Sequence, residues 1–329
     1  MEKEEKISCS KQLSDLLKLV FLQTTPPWFY YRYSLYRYSS IEWFDFIYTH
    51  ELPNWHQVMS PNLSSVTREL LSDKSAFARH MQKQGLSVID GHVVYKRDIF
   101  KKEDLFQGRS LFFKPLCGSQ NINTYSLECD AKIDSYILNV SEDKVLTSQQ
   151  EIMSFLQELL NQQDYLIQPL LQNHKELQGL SESDALITIR LISIWAGTTA
   201  QAISAVVEIP IDRFNNRFYQ LPIEMKTGII QPLEKTVFSV SNEVHSKMQH
   251  ISGHQIAHWS KIVNTAIKAH KSFPDIFSVG WDLAITPEGV KLIEGNINWG
   301  VAAHQTSKPS LMKSHILYTQ FDTNKSHVK

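Results

Sequence analysis

Between residues 279 and 298 the chain reads Val-Gly-Trp-Asp-Leu-Ala-Ile-Thr-Pro-Glu-Gly-Val-Lys-Leu-Ile-Glu-Gly-Asn-Ile-Asn, and no other stretch limits the fold as tightly. Two short apolar runs flank Thr286-Pro287-Glu288-Gly289. Proline there fits a φ near −65° and glycine a positive φ, so the stretch predicts a hairpin. Folding it back brings Asp282 opposite Glu294 or one residue away from it. Glu294, Asn296 and Asn298 alternate, and share a face while the strand stays extended. Two carboxylates facing each other across a hairpin repel, and a buried pair needs a shared proton or a cation. Asp, Glu and Asn offer only oxygen, which magnesium or manganese accepts. The same spacing also suits a solvated hairpin with scattered charges.

The rest of the chain must supply a body for this hairpin, and its 329 residues suffice for two or three packed units. A net charge of −1 gives no support for bulk electrostatic binding to nucleic acid or to an acidic membrane. Three cysteines, Cys9, Cys117 and Cys129, are an odd number without metal-ligand spacing, which fits a reducing compartment. The first six residues carry charges of both signs, unlike a secretory signal. No apolar run has the length of a membrane span. A cytoplasmic protein is expected.

In order along the chain, residues 11–23 have helical spacing of apolar positions, ended by Pro26-Pro27. Eleven aromatic residues follow between Trp28 and Tyr48, with Arg32 and Arg37 among them. Such rings can stack on sugars or bases, or pack an N-terminal subdomain against the body of the protein, and packing is expected because aromatics so often supply buried area. Residues 72–85 predict a helix capped by Ser72 or Asp73 and closed by Gly85. Strands are expected near 87–89, 93–95, 111–115, 124–128 and 135–140. Ser148-Gln149-Gln150-Glu151 reads as a capping box opening a helix to about residue 160. Residues 165–169 form a strand stopped by Pro169, and 187–195 a longer one with Thr188 and Arg190 on one face. Its hairpin partner is 200–209. Residues 210–240 read as loop-rich, helical spacing returns over 256–267, and the tail after Gln305 is polar and peripheral.

Several side chains carry chemical possibilities. Lys114 ends an apolar strand before a loop containing Gly118-Ser119. A lysine so placed can neutralise phosphate oxygens while loop N–H groups donate to them, although a strand-end lysine by itself usually snorkels to water. Neither GxxxxGK[ST] nor GxGxxG occurs. Arg190, mid-strand among apolar residues, suits a buried ion pair or an anion clamp. His250, His254 and His258 have i, i+4 spacing, but Gly253 interrupts the helix and no HExxH motif supports a metal there.

The order of these parts resembles the ATP-grasp superfamily, and its sugar-transfer-associated branch most of all. The signature is Gly280-Trp281-Asp282-Leu283-Ala284 followed by Leu292-Ile293-Glu294-Gly295-Asn296, supported by Ser72-Asp73-Lys74, by Phe113-Lys114-Pro115 and by Thr188-Ile189-Arg190. The resemblance implies an α+β fold in which two α+β subdomains clasp ATP. Residues 71–165 would carry the phosphate-binding lysine and 166–305 the metal ligands. An aromatic-rich region over 1–70 would precede them, and a polar tail over 306–329 would follow. Lys114 would contact the phosphates, with Gly118 and Ser119 beside it. Gln168, Pro169, Leu170 and Leu171 would line the adenine. Asp282, Glu294 and Asn296 would hold Mg2+ or Mn2+, and Arg190 would stabilise the transferred phosphoryl group.

The implied activity is an ATP- and magnesium-dependent carboxylate–amine ligase acting through an acyl phosphate. Its expected partners are small-molecule or glycan-linked carboxylate and amine substrates, in the synthesis or modification of a cell-surface polysaccharide. Nucleic acid is not an expected partner. The alternative is an inactive nucleotide-binding module, suggested by the single glycine in the loop after Lys114.

Overall fold

The computed structural model describes residues 7–117, 123–181, 185–211, 218–232 and 248–305. Gly118, Ser119, His245 and the tail beyond Gln305 lie outside the described residues.

The N-terminal region is helical: α1 (Cys9–Gln23), α2 (Trp28–Arg32), two 3-10 turns, α3 (Leu52–Met59), α4 (Ser65–Ser72) and α5 (Lys74–Lys83). The aromatic stretch forms its own core. Phe29, Tyr30, Tyr33, Leu35, Trp43, Phe46 and Tyr48 are buried with Leu19 of α1. Tyr30 donates to Asp15 (2.9 Å) and the Trp43 indole to the Leu35 carbonyl (2.9 Å), so polar tips are satisfied as the rings pack. The packing expectation holds. Helix α5 starts where Asp73 accepts from the amides of Ser75 (2.8 Å) and Ala76 (2.9 Å), and Gly85 follows its C-cap as expected.

A six-stranded antiparallel sheet follows, built from β1 (His92–Val94), β2 (Leu111–Pro115), β3 (Tyr125–Asp130), β4 (Ser135–Ser141), β5 (Lys144–Leu146) and β6 (Tyr165–Pro169), in the order β1-β6-β2-β3-β4-β5. A short α6 (Lys102–Leu105) precedes β2, and α7 (Gln149–Leu160) lies between β5 and β6. Leu111, Phe113, Leu127, Tyr165 and Ile167 bury one sheet face against Ile152, Leu156 and Leu160 of α7. By alternation, Phe112, Lys114, Leu166 and Gln168 face the other way. Ser148 caps α7 without a side-chain hydrogen bond, so the capping box is present in sequence only. The strand expected near 87–89 reduces to a bridge between Val88 and Leu292.

The second sheet has five antiparallel strands in the order β11-β10-β7-β8-β9: β7 (Thr188–Ala196), β8 (Thr199–Pro210), β9 (Phe218–Ile223), β10 (Ser278–Thr286) and β11 (Gly289–Asn296). The sequence reading missed β9 because Pro222 and three polar or aromatic residues hide its alternation; an edge strand tolerates both. One face carries Ile189, Leu191, Val207, Leu221, Val279, Trp281, Leu283 and Leu292, packed on α8 (Trp259–His270) and on Phe77 and Met81 of α5. The short α9 (Ala302–Gln305) then returns to the aromatic region, where the Gln305 side chain accepts from the Ile47 amide (3.0 Å) and donates to its carbonyl (2.8 Å). Among the described residues no helix is long and apolar enough to cross a membrane.

Behind β10, the Trp281 indole donates to Ser193 Oγ (2.7 Å), which bonds His270 Nδ1 (2.7 Å), while His270 Nε2 meets the Ile276 carbonyl (3.1 Å). A carbonyl only accepts, so Nε2 carries the proton, Nδ1 accepts from Ser193, and every member is satisfied. Burial lowers the His270 pKa to about 4, and burial likewise lowers His56 to about 4 and His304 to about 3. Unfolded, these imidazoles titrate near 6.5 and bind more protons than in the fold between that pH and 4. Stability is therefore lost as pH falls through this window. Thermal melts from pH 7 to pH 4 should show a progressive drop, which His270→Gln makes shallower by removing one titrating group.

Candidate functional site

The hairpin forms as expected, with Thr286 paired to Gly289 across Pro287-Glu288 and Gly289 at φ +111°. Its register carries a consequence for the acidic pair. Leu283 pairs with Leu292, and straight continuation would set Asp282 against Ile293. A bulge between Asp282 and Leu283 absorbs Ile293, so that Asp282 pairs with Glu294 and Gly280 with Asn296. Val290 and Leu292 face the core. After the bulge, Glu294 and Asn296 switch to the opposite face, beside Asp282. Gly280 lies two residues before Asp282 on that face, and a Cβ there would stand 2.6 Å from Trp299 Cβ, so only glycine admits the close approach of Trp299.

A polar row crosses this face of the sheet. Arg190 on β7 is the Cα partner of Asp282 on β10. Its Nε and Nη2 donate to Asp282 Oδ1 and Oδ2, each at 2.8 Å, in a bidentate pair. On the other side Arg190 Nη1 lies 3.4 Å from Glu208 Oε1 on β8. Glu208 also accepts from Gln220 Nε2 (2.8 Å) and Thr188 Oγ1 (3.2 Å). Asn296 Nδ2 donates to Asp282 Oδ2 (3.1 Å) and Glu294 Oε1 (3.3 Å).

Lys114, on the first sheet, lies within the field of this row. It is buried rather than snorkelling, 8% exposed, and feels the charges of Glu294 and Asp282. Burial lowers its pKa to about 8 against the opposing pull of Glu294, with Lys74 lowering it further. Lys74, at the start of α5, donates to the carbonyls of Pro115 and Leu116 (both 3.3 Å), tying that helix to the end of β2. Burial and then the field of Asp282 raise the Glu294 pKa, while Lys114 opposes them. Glu208 is also raised, by burial first, with Arg190 pulling it down. Burial works against the charge on Arg190, yet Asp282, with Glu208 and Glu294 behind it, holds its pKa above the usual guanidinium value.

The structure thus brings together Lys114, Arg190, Asp282, Glu294 and Asn296 from four strands, β2, β7, β10 and β11. Gln168 shares the Lys114 face of the first sheet, but it is buried and its Nε2 donates to the Ile89 carbonyl (3.3 Å). Pro169 is exposed, Leu170 and Leu171 are half-buried, and the Leu170 amide is taken by the Ser110 carbonyl (3.0 Å). Sequence reasoning missed Glu208 and Gln220. An acid inside the apolar run from Val206 to Ile209, on the strand beside Arg190, was the available signal. Lys74 was seen only as part of a motif.

Among the described residues no three His, Cys, Asp or Glu side chains surround one point. The candidate cation site therefore rests on two carboxylates and the Asn296 amide. That set fits a hard divalent cation on two grounds: each side chain has an oxygen to offer, Asn296 by turning over the amide whose Nδ2 now meets both carboxylates, and Glu294 is held against ionisation by burial and by Asp282, a penalty a cation relieves.

The family model described as sugar-transfer associated ATP-grasp matches residues 54–317. No curated protein matches the chain. Solved structures that resemble it include D-alanyl-alanine synthetase A from Vibrio cholerae, 10% identical, covering 78% of this chain and 65% of that one with a TM-score of 0.47. D-alanine–D-alanine ligase from Bacillus anthracis complexed with ATP is 13% identical, covering 78% and 68% with a TM-score of 0.44. N5-carboxyaminoimidazole synthetase from Staphylococcus aureus is 12% identical, covering 76% and 51% with a TM-score of 0.44. The chain spans about three fifths of the length of other ligases it resembles. With the family model covering most of its length, the chain belongs to the sugar-transfer associated ATP-grasp family.

Proposed function

We propose that the protein binds ATP with Mg2+ or Mn2+ between its two sheets and uses it to join a carboxylate to an amine, on a small molecule or a glycan precursor. The observation that carries this reading is the approach of buried Lys114, from one sheet, to the Asp282–Glu294 pair on the other. Asp282, Glu294 and Asn296 would hold the cation, which when bound offsets phosphate charge during transfer. Lys114, with Lys74 beside it, offers positive charge to the phosphates. Gln168, Pro169, Leu170 and Leu171 would border the base, and Gly118 and Ser119 would lie near the phosphates. Arg190 supplies a planar guanidinium for the transferred phosphoryl group. The γ-phosphoryl group passes from ATP to a carboxylate oxygen, leaving ADP. The amine then attacks the acyl carbon, phosphate leaves, and the amine loses a proton to give an amide.

Incubation with ATP, magnesium, a panel of carboxylates and hydroxylamine as a general amine tests this directly. ADP, phosphate and a hydroxamate are expected together; ADP release independent of any carboxylate would refute the ligase chemistry. A second reading, nucleotide binding without transfer, draws on Asp282 having both oxygens engaged by Arg190. It predicts tight ATP binding and no ADP across the panel.

The Lys114 pKa makes a separate prediction. Its ammonium is charged below about pH 8, so nucleotide affinity should fall as pH rises from 7 to 9 with a midpoint near 8. Lys114→Arg keeps its charge throughout and should flatten the profile, measured by titration calorimetry.

A further inference from the structure

The bidentate pair between Arg190 and Asp282 creates a conflict if Asp282 is to hold a metal. Both Asp282 oxygens accept from Arg190, and Oδ2 also accepts from Asn296. A divalent cation on Asp282 would sit within a few ångströms of the guanidinium, where like charges in a partly buried setting repel strongly. Arg190 must then yield Asp282 while staying near the site.

We propose that Glu208 is a positioning residue for Arg190: it keeps the guanidinium in the site when a divalent cation takes Asp282, so that Arg190 is a displaceable stand-in for that cation. This rests on the reading under Proposed function. The geometry supports it on three counts. Glu208 is the Cα partner of Thr188, two residues from Arg190 on β7 and on the same face, and the guanidinium already lies between the carboxylates of Glu208 and Asp282. Glu208 is braced, since Gln220 donates to Oε1 and Thr188 to Oε2. It is not saturated, because a carboxylate has about four acceptor sites and Nη1 stands at 3.4 Å with room to close. A small rotation of the arginine side chain therefore exchanges a fork on Asp282 for one on Glu208. It also turns the freed edge of the guanidinium toward the cleft, where a transferred phosphoryl group would lie.

The test is a double-mutant cycle on Mn2+ affinity, measured by electron paramagnetic resonance of free Mn2+ with saturating ADP, which lacks the γ-phosphate Arg190 would contact. Arg190→Lys keeps the charge but loses the fork, and should bind Mn2+ about tenfold more tightly, the worth of one charge-assisted hydrogen bond. Glu208→Gln removes the alternative dock and should bind about tenfold more weakly. In the Arg190→Lys background the same Glu208 change should shift affinity by no more than about twofold.

Equal losses from Glu208→Gln in both backgrounds would mean that Glu208 acts only through its field, and would overturn the proposal. So would Arg190→Lys binding no more tightly than the wild type, a result that decides the matter even if Glu208→Gln fails to fold. A wild type that binds no Mn2+ with ADP would remove the reading under Proposed function as well, whereas normal binding with either overturning result would leave that reading standing.

Discussion

Glu294→Gln is expected to lower ATP turnover by about a hundred- to a thousand-fold while leaving the protein at least as stable as the wild type. The two effects have one origin. Glu294 faces Asp282 across the bulged hairpin, and its pKa is raised by burial and by that neighbour. In the fold it binds a proton more readily than in the unfolded chain, so its ionisation costs stability as pH rises above the ordinary carboxylate value. Gln removes that cost together with the ligand charge a cation needs. Asp282→Asn should behave differently: it takes the bidentate carboxylate from Arg190 and leaves Glu208 as its carboxylate partner, and losing that charge-assisted fork costs about 1.5–3 kcal/mol. Steady-state assays and chemical denaturation of both variants at pH 7 would check the contrast. Loss of stability in Glu294→Gln comparable to that of Asp282→Asn would contradict it.

Trp281→Ala should be the most destabilising single change near the site, by about 4 kcal/mol or more. Trp281 is fully buried, stacks near Phe77 and Phe273 with ring centres 6.4 and 6.3 Å away, and donates to Ser193. Alanine leaves a cavity between β10 and α5 and deprives the Ser193–His270 chain of its first donor. Trp281→Phe fills most of the volume and isolates the hydrogen bond, so it should cost about 1–2 kcal/mol. Because Trp281 and Asp282 point to opposite faces of one strand, the alanine variant should also lose Arg190–Asp282 geometry, seen as weaker metal binding in whatever fraction remains folded. Denaturant titrations of the two variants give the comparison.

How much of this was legible in sequence can be followed residue by residue. The hairpin was legible because Pro287 and Gly289 carry strong backbone preferences that act locally. The facing of Asp282 and Glu294 was legible only to within one residue, because it depends on the bulge that absorbs Ile293, and nothing in an apolar Leu-Ile pair marks a bulge. Lys114 read by itself as a strand-end lysine reaching water. It is buried instead, and the second-sheet carboxylates that act on it, Asp282 and Glu294, lie more than 150 residues away in sequence. Arg190 read as an ion-pair partner or an anion clamp; the structure shows the ion pair, and the clamp remains part of the proposal. Glu208 was invisible because a lone acid in a strand gains meaning only from register, here its pairing with Thr188. The aromatic stretch was legible as a packed region because so many large side chains in twenty residues must find one another or stay exposed.

The central claim is that the cleft between the two sheets holds a nucleotide together with a divalent cation. Calorimetric titration of the wild-type protein with a non-hydrolysable ATP analogue, in magnesium and then in excess chelator, tests it most directly. The account predicts saturable binding at one site in magnesium, weakened at least tenfold by the chelator. Binding of equal strength in both, or none in either, would contradict it.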